Sequence, residues 1–114
     1  MAFSELELKR IERIIGGLCR RLTRPELADE LKLIYETHEQ SVVLLEERPD
    51  WQNAKEKMHT PVAKLRFVRR SNRWTLYWMR ADLHWHRYEP APPTADLAAL
   101  VEVVERDAYC AFFG

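Results

Sequence analysis

The chain has 114 residues, of which 46% are hydrophobic and 32% are charged, values typical of a folded globular protein and unlike those of a disordered one. This length suffices for one hydrophobic core but not for two, so we expect residues 1–114 to form a single domain. Eighteen basic and eighteen acidic side chains cancel, which excludes a strong long-range attraction of the whole molecule to polyanions or anionic membranes.

The number of cysteines and the hydropathy of the chain indicate its cellular location. The chain contains only Cys19 and Cys110, and no segment combines a basic start, an apolar stretch and a small-residue cleavage site. No apolar run approaches the eighteen or so residues that a membrane helix needs. We therefore expect a soluble, cytoplasmic protein with no membrane partner.

The N-terminal segment predicts an amphipathic helix. Ser4 and Glu7 have the spacing of a capping box, and Phe3 and Leu8 stand at the positions of a hydrophobic staple. Apolar residues then recur at helical spacing: Leu8, Ile11, Ile15, Leu18 and Leu22. The pair Gly16-Gly17 within this pattern predicts either a kink or a close packing contact.

After Pro25, alternating and β-branched residues predict strands. Residues 31–36 and 42–45 read as a hairpin that turns near Glu39-Gln40, and Pro49 ends its second strand. Residues 50–60 are polar and predict a loop.

A three-stranded meander is expected next, with strands Val62–Arg69, Arg73–Arg80 and Leu83–Glu89 separated by Ser71-Asn72 and Ala81-Asp82.

The C-terminal segment predicts a second helix and a docked tail. Thr94 is a suitable N-cap, and one apolar helix face follows it: Leu97, Leu100, Val101 and Val104. The helix should end near Asp107, and the apolar segment 108–114 should pack against the domain. The predicted fold is α+β, with an antiparallel sheet of about five strands covered on one face by the two helices.

Side chains on a strand alternate between its two faces, so turns with an even number of residues determine which positions of successive strands share a face. This parity predicts that one face of the meander packs under the helices: Ala63, Leu65, Phe67, Trp74, Leu76, Trp78 and Trp85. The opposite face would then carry Val62, Lys64, Arg66, Thr75, Tyr77, His84, His86 and Tyr88. A turn with an odd number of residues would reverse the assignment for the strand beyond it.

Positive charge is concentrated between residues 62 and 80, where the chain has six basic side chains and no acidic one. Lys64 and Arg66 can contact phosphates, while Tyr77, His86 and Tyr88 offer stacking surfaces and hydrogen bonds. A solvated face that serves solubility and cross-strand packing would have a similar composition. Both interpretations stay open at this point.

Metal binding by His84 and His86 is a weaker hypothesis. Two residues apart on a strand, both imidazoles would point the same way, but two ligands do not make a site. A third would have to come from His38, His59 or a carboxylate that the sequence does not place. We therefore predict no metal and no cofactor.

Catalytic motifs are also missing. No Gly-x-Ser-x-Gly context exists, and three glycines cannot build a glycine-rich phosphate loop. Glu46 or Glu47 with Lys64 resembles a metal-dependent nuclease only superficially, since that scheme needs an acid where Val62 stands. A structural pair between Arg48 and a glutamate explains this segment better. An enzyme of unknown type is therefore our third choice.

Several motifs spread over nearly the whole chain stand out: Glu47-Arg48-Pro49-x-Trp51, Pro61-Val62-Ala63-Lys64, Trp74-x-Leu76-Tyr77-Trp78-Met79-Arg80, Trp85-His86-x-Tyr88 and Phe112-Phe113-Gly114. Together they resemble the bacterial domain-of-unknown-function family 3024. The resemblance implies a free-standing bacterial protein of one domain and supplies no mechanism.

The prediction from these patterns is a non-enzymatic binding module for an anionic partner, either a nucleic acid or a phosphate-containing ligand. Its candidate binding residues are Lys64, Arg66, Tyr77, His86, Tyr88, Arg48 and Arg80. The alternative is a protein-interaction or homodimer module that uses exposed sheet edges or the apolar tail.

Overall fold

In the computed structural model, residues 2–113 are described, and they form two α-helices and one five-stranded sheet. The elements in chain order are α1 (Glu5–Leu22), β1 (Lys32–His38), β2 (Ser41–Pro49), β3 (Lys57–Val68), β4 (Arg73–Met79), β5 (Trp85–Arg87) and α2 (Leu97–Arg106). A short 3₁₀ turn, Pro25–Leu27, links α1 to the sheet. The predicted α+β class is confirmed.

Every strand of the sheet pairs antiparallel with its neighbour in sequence, in the order β1-β2-β3-β4-β5. His38 lies opposite Ser41, so the first hairpin turns at Glu39-Gln40 as predicted. Glu39 has a φ of 53°, a left-handed conformation that such a tight turn requires. The sheet is thus a continuous meander.

Strand β3 is longer than the sequence indicates and contains a β-bulge. Leu44 lies opposite Ala63 whereas Leu45 lies opposite Pro61, which leaves Val62 as the extra residue. A proline has no N–H to donate, and a bulge is one of the few places in a sheet that accepts it. The predicted loop 50–60 is therefore wrong at its end, because β3 already begins at Lys57.

Helix α1 begins with the predicted capping box. The hydroxyl of Ser4 accepts the N–H of Glu7 at 3.2 Å, and the carboxylate of Glu7 accepts the N–H of Ser4 at 2.8 Å. The central residues of the apolar stripe, Ile11, Ile15 and Leu18, are fully buried, whereas Leu8 and Leu22 stay exposed near the helix ends. Only the middle of the stripe therefore lies over the sheet.

The helix continues through Gly16 without a break, so the glycine serves close packing. A Cβ atom at Gly16 would lie 2.8 Å from a carboxylate oxygen of Glu12. That carboxylate folds back over Gly16, where it accepts hydrogen bonds from the hydroxyl of Tyr35 and the guanidinium of Arg20. The absence of a side chain at Gly16 makes room for this contact between α1 and β1.

Helix α2 is capped by Asp96, whose carboxylate accepts the N–H of Ala99 at 3.3 Å. The prediction of Thr94 as N-cap is wrong, because Thr94 pairs its backbone with Trp74 and so extends the sheet by one bridge. At the other end Asp107 is left-handed, and its carboxylate accepts the N–H groups of Phe112 and Phe113. These bonds dock the tail, with Gly114 outside the described residues.

Both helices cover the same face of the sheet. The side chains of α1 and α2 form one cluster with the inward residues of the strands: Leu33, Val42, Leu44, Ala63, Leu65, Trp74 and Leu76. The loop between β3 and β4 has four residues, since Val68 lies opposite Arg73. This even number confirms the predicted inward face for these two strands.

We expect Leu76→Ala to lower the free energy of unfolding by about 2–5 kcal/mol, because Leu76 is fully buried and its truncation leaves a cavity. The matched control is Leu83→Ala, whose side chain is 78% exposed, with an expected change within about 0.5 kcal/mol. Urea unfolding of the two variants measures both values. Similar losses in the two variants would contradict this assignment of the core.

The turn after β3 is tied to the start of α1 by a two-pronged ion pair. The guanidinium of Arg69 donates to both carboxylate oxygens of Glu7, at 2.8 and 2.9 Å, and also to the carbonyl of Ala2 at 3.2 Å. The bonds from Arg69, with the N–H of Ser4, lower the pKa of Glu7 from 4.5 to about 2.

A lowered pKa in the folded state means that this pair stabilises the fold above the unfolded pKa of 4.5 and loses that effect as the pH falls toward 2. We therefore expect the Tm difference between wild type and Glu7→Gln to be largest near neutral pH and to vanish as the pH approaches 2. Glutamine keeps the capping geometry, so the variant isolates the charge. A Tm difference that does not change with pH would refute this role.

Candidate functional site

The face of the sheet opposite the helices carries the candidate site. Across strands β2 to β5 the register aligns Val43, Lys64, Tyr77 and Arg87 in one row. Ser41, Arg66 and Thr75 form the next row. We call these seven residues, together with Trp85, the open face. Within residues 2–113 no helix packs over it.

The position of Trp85 corrects the predicted faces of the last strand. Met79 lies opposite Trp85, so five residues separate β4 from β5, and the odd number reverses the parity. Trp85 therefore joins Lys64 on the open face, where both line one hollow. His86 and Tyr88 lie on the helix-covered side instead, and their assignment to the cationic face is wrong.

The geometry of this loop explains why it is longer than the predicted turn Ala81-Asp82. The carboxylate of Asp82 accepts the N–H of His84 at 3.0 Å, and Leu83 is left-handed with a φ of 62°. The N–H of Arg80 closes the loop on the carbonyl of His84 at 3.2 Å. His84 thus belongs to the loop, and β5 begins only at Trp85.

Two further residues of the predicted cationic face differ from expectation. Val62 is the bulge residue and is buried in the main core. Thr75 does share the open face with Arg66, but its side chain is buried. The cationic character of this surface therefore rests on fewer residues than the sequence indicates.

Charge on the open face is unevenly compensated. Lys64, Arg66 and Arg87 have no carboxylate within 4 Å among the described residues. The ammonium of Lys64 instead lies 5.7 Å from the centroid of the Tyr77 ring, a cation–π contact. Lys64 thus contacts the Tyr77 ring and Arg87 lies opposite Tyr77 on the next strand, while Glu36 stands at the β1 end of the same row.

Two acidic side chains on the same side of the sheet, Glu47 and Glu36, contact other side chains near β1. Glu47 contacts the imidazole of His59 at 2.9 Å and the ammonium of Lys32 at 3.4 Å, and these contacts lower its pKa. Glu36 lies 3.1 Å from the imidazole of His38. Glu47 therefore has a cationic partner in Lys32, whereas the carboxylate of Glu36 is held by an imidazole.

A broad hollow of about 720 Å³ opens between Lys64, Trp85 and the first hairpin. Its floor includes Val43 and Ser41, and its rim includes His38. The volume falls within the range of small-ligand sites, and the indole of Trp85 forms part of the lining.

The remaining candidate residues lie elsewhere. Arg48 lies 3.6 Å from Glu46, a structural pair as predicted. Arg80, His86 and Tyr88 line a separate cleft beyond the edge of the sheet. The structure therefore brings Lys64, Arg66 and Tyr77 together and separates them from the other four.

Metal and thiol chemistry find little support in the geometry. In the described part of the chain, no three His, Cys, Asp or Glu side chains are placed to hold a metal ion. Cys19 is buried, and desolvation raises its pKa to about 11, so it stays a neutral thiol. Cys110 is exposed. No helix within residues 2–113 is long and apolar enough to span a membrane.

The fold and this surface define an α+β domain whose meander sheet is covered by helices on one face and open on the other. The chain belongs to the family described as domain of unknown function DUF3024, whose model matches residues 3–114. Searches of curated proteins and of solved structures returned no match. The function must therefore be argued from the surface itself.

Proposed function

We propose that this protein is a non-enzymatic binding module that holds an anionic partner on the open face, with single-stranded nucleic acid as the preferred partner. The observation that carries the proposal is a set of three cations without an ion-pair partner among the described residues, Lys64, Arg66 and Arg87, on the same face of the sheet as the rings of Tyr77 and Trp85. Cations beside aromatic rings are the combination with which proteins hold single strands.

The spacing of the cations supports a single strand. Lys64 and Arg66 are two residues apart on β3, which places their Cα atoms about 7 Å apart on one face. This is close to the separation of successive phosphates in an extended single strand. The bases between these phosphates can then stack on Tyr77 or Trp85, whose rings are half-buried and so held in place.

A duplex fits this surface less well. Proteins read the major groove with a helix or a two-stranded ribbon that protrudes into it. The open face presents strands side by side, and the two-stranded end of the β2–β3 hairpin, where Arg48 and Pro49 pair with Met58 and Lys57, lies outside the residues that define it. A bacterial cytoplasmic setting agrees with this function, since Cys19 and Cys110 are both free thiols.

Fluorescence anisotropy with a labelled single-stranded DNA tests the proposal. We expect Lys64→Ala with Arg66→Ala to weaken binding by about tenfold or more, because two phosphate contacts are lost. The matched control, Lys9→Ala with Arg10→Ala, removes the same charge from the exposed face of α1 and should change the affinity little. No binding, or an equal loss in both double variants, would overturn the proposal.

The salt dependence gives an independent measure. Neutralisation of phosphates by three cations predicts a slope of log K against log salt of about −2 for a single strand. In the double variant the slope should rise to about −0.7, since one cation remains. A slope that is unchanged in that variant would show that these residues make no phosphate contacts.

Self-association is the second candidate. A groove of about 250 Å³ beside the end of α1 is lined by four exposed apolar side chains among charged ones: Leu22, Leu27, Leu31 and Phe113. If a second copy covers this groove, light scattering should show a dimer that Phe113→Ser converts to a monomer. A mass that corresponds to one chain at every concentration would exclude this candidate.

A further inference from the structure

A cleft of about 360 Å³ lies between the end of β4, strand β5 and the C-terminal tail, and it adjoins the open face only at Arg87. We call it the tail cleft and define it by Trp78, Arg80, His86, Tyr88, Tyr109 and Ala111. Its volume falls within the range of small-ligand sites. Three aromatic rings line it, together with the guanidinium groups of Arg80 and Arg87, the imidazole of His86 and the carboxylate of Glu89.

Arg80 supplies the positive charge of the cleft. Its guanidinium carbon lies over the Trp78 ring, 5.5 Å from the ring centroid, a cation–π contact. No carboxylate of the described residues lies within 4 Å of it. The N–H donors of a guanidinium lie in its own plane, so two of them can bind two oxygens of a phosphate at once.

His86 is oriented by a second contact. Its Nε2 atom lies 2.8 Å from one carboxylate oxygen of Asp82, while the other oxygen accepts the N–H of His84. Because a carboxylate accepts hydrogen bonds, Nε2 carries a hydrogen, and in the neutral imidazole Nδ1 is then an acceptor. These bonds lower the pKa of Asp82, which therefore stays ionised and keeps the ring in place.

The aromatic side chains that line the cleft differ in burial: Tyr88 is buried, whereas Tyr109 is exposed. Tyr88 is buried and meets Trp78 edge to face, with ring centroids 6.5 Å apart, and also packs on Phe112 at 4.9 Å. Tyr109 is 72% exposed, so its ring can lie over a bound ligand without a change in the core. A planar group can therefore enter between a fixed wall and a mobile one.

We propose that the tail cleft binds a small ligand that joins an aromatic ring to a phosphate, of the nucleoside monophosphate class. The phosphate binds the guanidinium of Arg80, the ring packs against Tyr109, and Nδ1 of His86 accepts a hydrogen bond from a hydroxyl or amino group. Glu89 on the rim can accept another. The cleft adjoins the open face through Arg87, which lines both, but its other residues lie outside that face and the inference does not depend on the function proposed for it.

Isothermal titration calorimetry with adenosine monophosphate tests the site, with adenosine and inorganic phosphate as the two halves of the ligand. We expect adenosine monophosphate to bind more tightly than either half. Arg80→Ala should weaken its binding about tenfold or more while leaving that of adenosine nearly unchanged, because only the phosphate contact is lost. Tyr109→Ala should weaken both adenosine and adenosine monophosphate.

The control is Arg70→Ala, an exposed cation at the turn after β3 that should leave the affinity unchanged. If Arg80→Ala does not fold, Tyr109→Ala still tests the site, because the side chain of Tyr109 is exposed and its truncation should not disturb the fold. The proposal is overturned if adenosine monophosphate does not bind up to about 10 mM. It is also overturned if affinity falls in the Lys64→Ala, Arg66→Ala double variant and not in Arg80→Ala, a result that would place the ligand on the open face.

Discussion

The alternation of side chains along a β-strand is the constraint on which the structure depends. In a meander whose helices cover one face only, each turn decides by its number of residues which side chains are buried and which remain outside. The four-residue loop before Arg73 keeps the tryptophan and leucine side chains of β4 under the helices. The five-residue loop before Trp85 brings that indole to the outside instead.

Because the helices cover only one face of the sheet, the two faces have different roles. The covered face holds the apolar cluster that stabilises the fold, and the ion pair of Glu7 with Arg69 fixes α1 to the end of the sheet. The open face contributes less to stability, so its residues are less constrained by packing. That freedom fits the presence of cations such as Lys64 and Arg66 that have no carboxylate partners within the described chain.

Local signals in the sequence predict most of this fold. The capping box at Ser4, the hairpin turn at Glu39 and the proline at the end of β2 act over a few residues, and all three are found as predicted. The inward face of β3 and β4 also follows from local parity. Short-range chemistry is sufficient in these cases because the tertiary contacts reinforce it.

The errors arise where a single residue changes the register. The bulge at Val62 buries a side chain that alternation alone would place outside. The Asp82 carboxylate holds the N–H of His84 and so lengthens the loop, which moves His86 away from the predicted site. An aspartate two residues before the loop end is a known turn former, and it was the one local signal that could have indicated the longer loop.

The most direct measurement of the binding face is an NMR titration that follows the indole N–H signals of the tryptophans as single-stranded DNA is added. The signal of Trp85 should shift with a saturable, salt-sensitive dependence, while that of Trp74, buried on the covered face, should stay in place. A shift confined to Trp78, with Trp85 unaffected, would contradict the assignment of the open face as the binding surface.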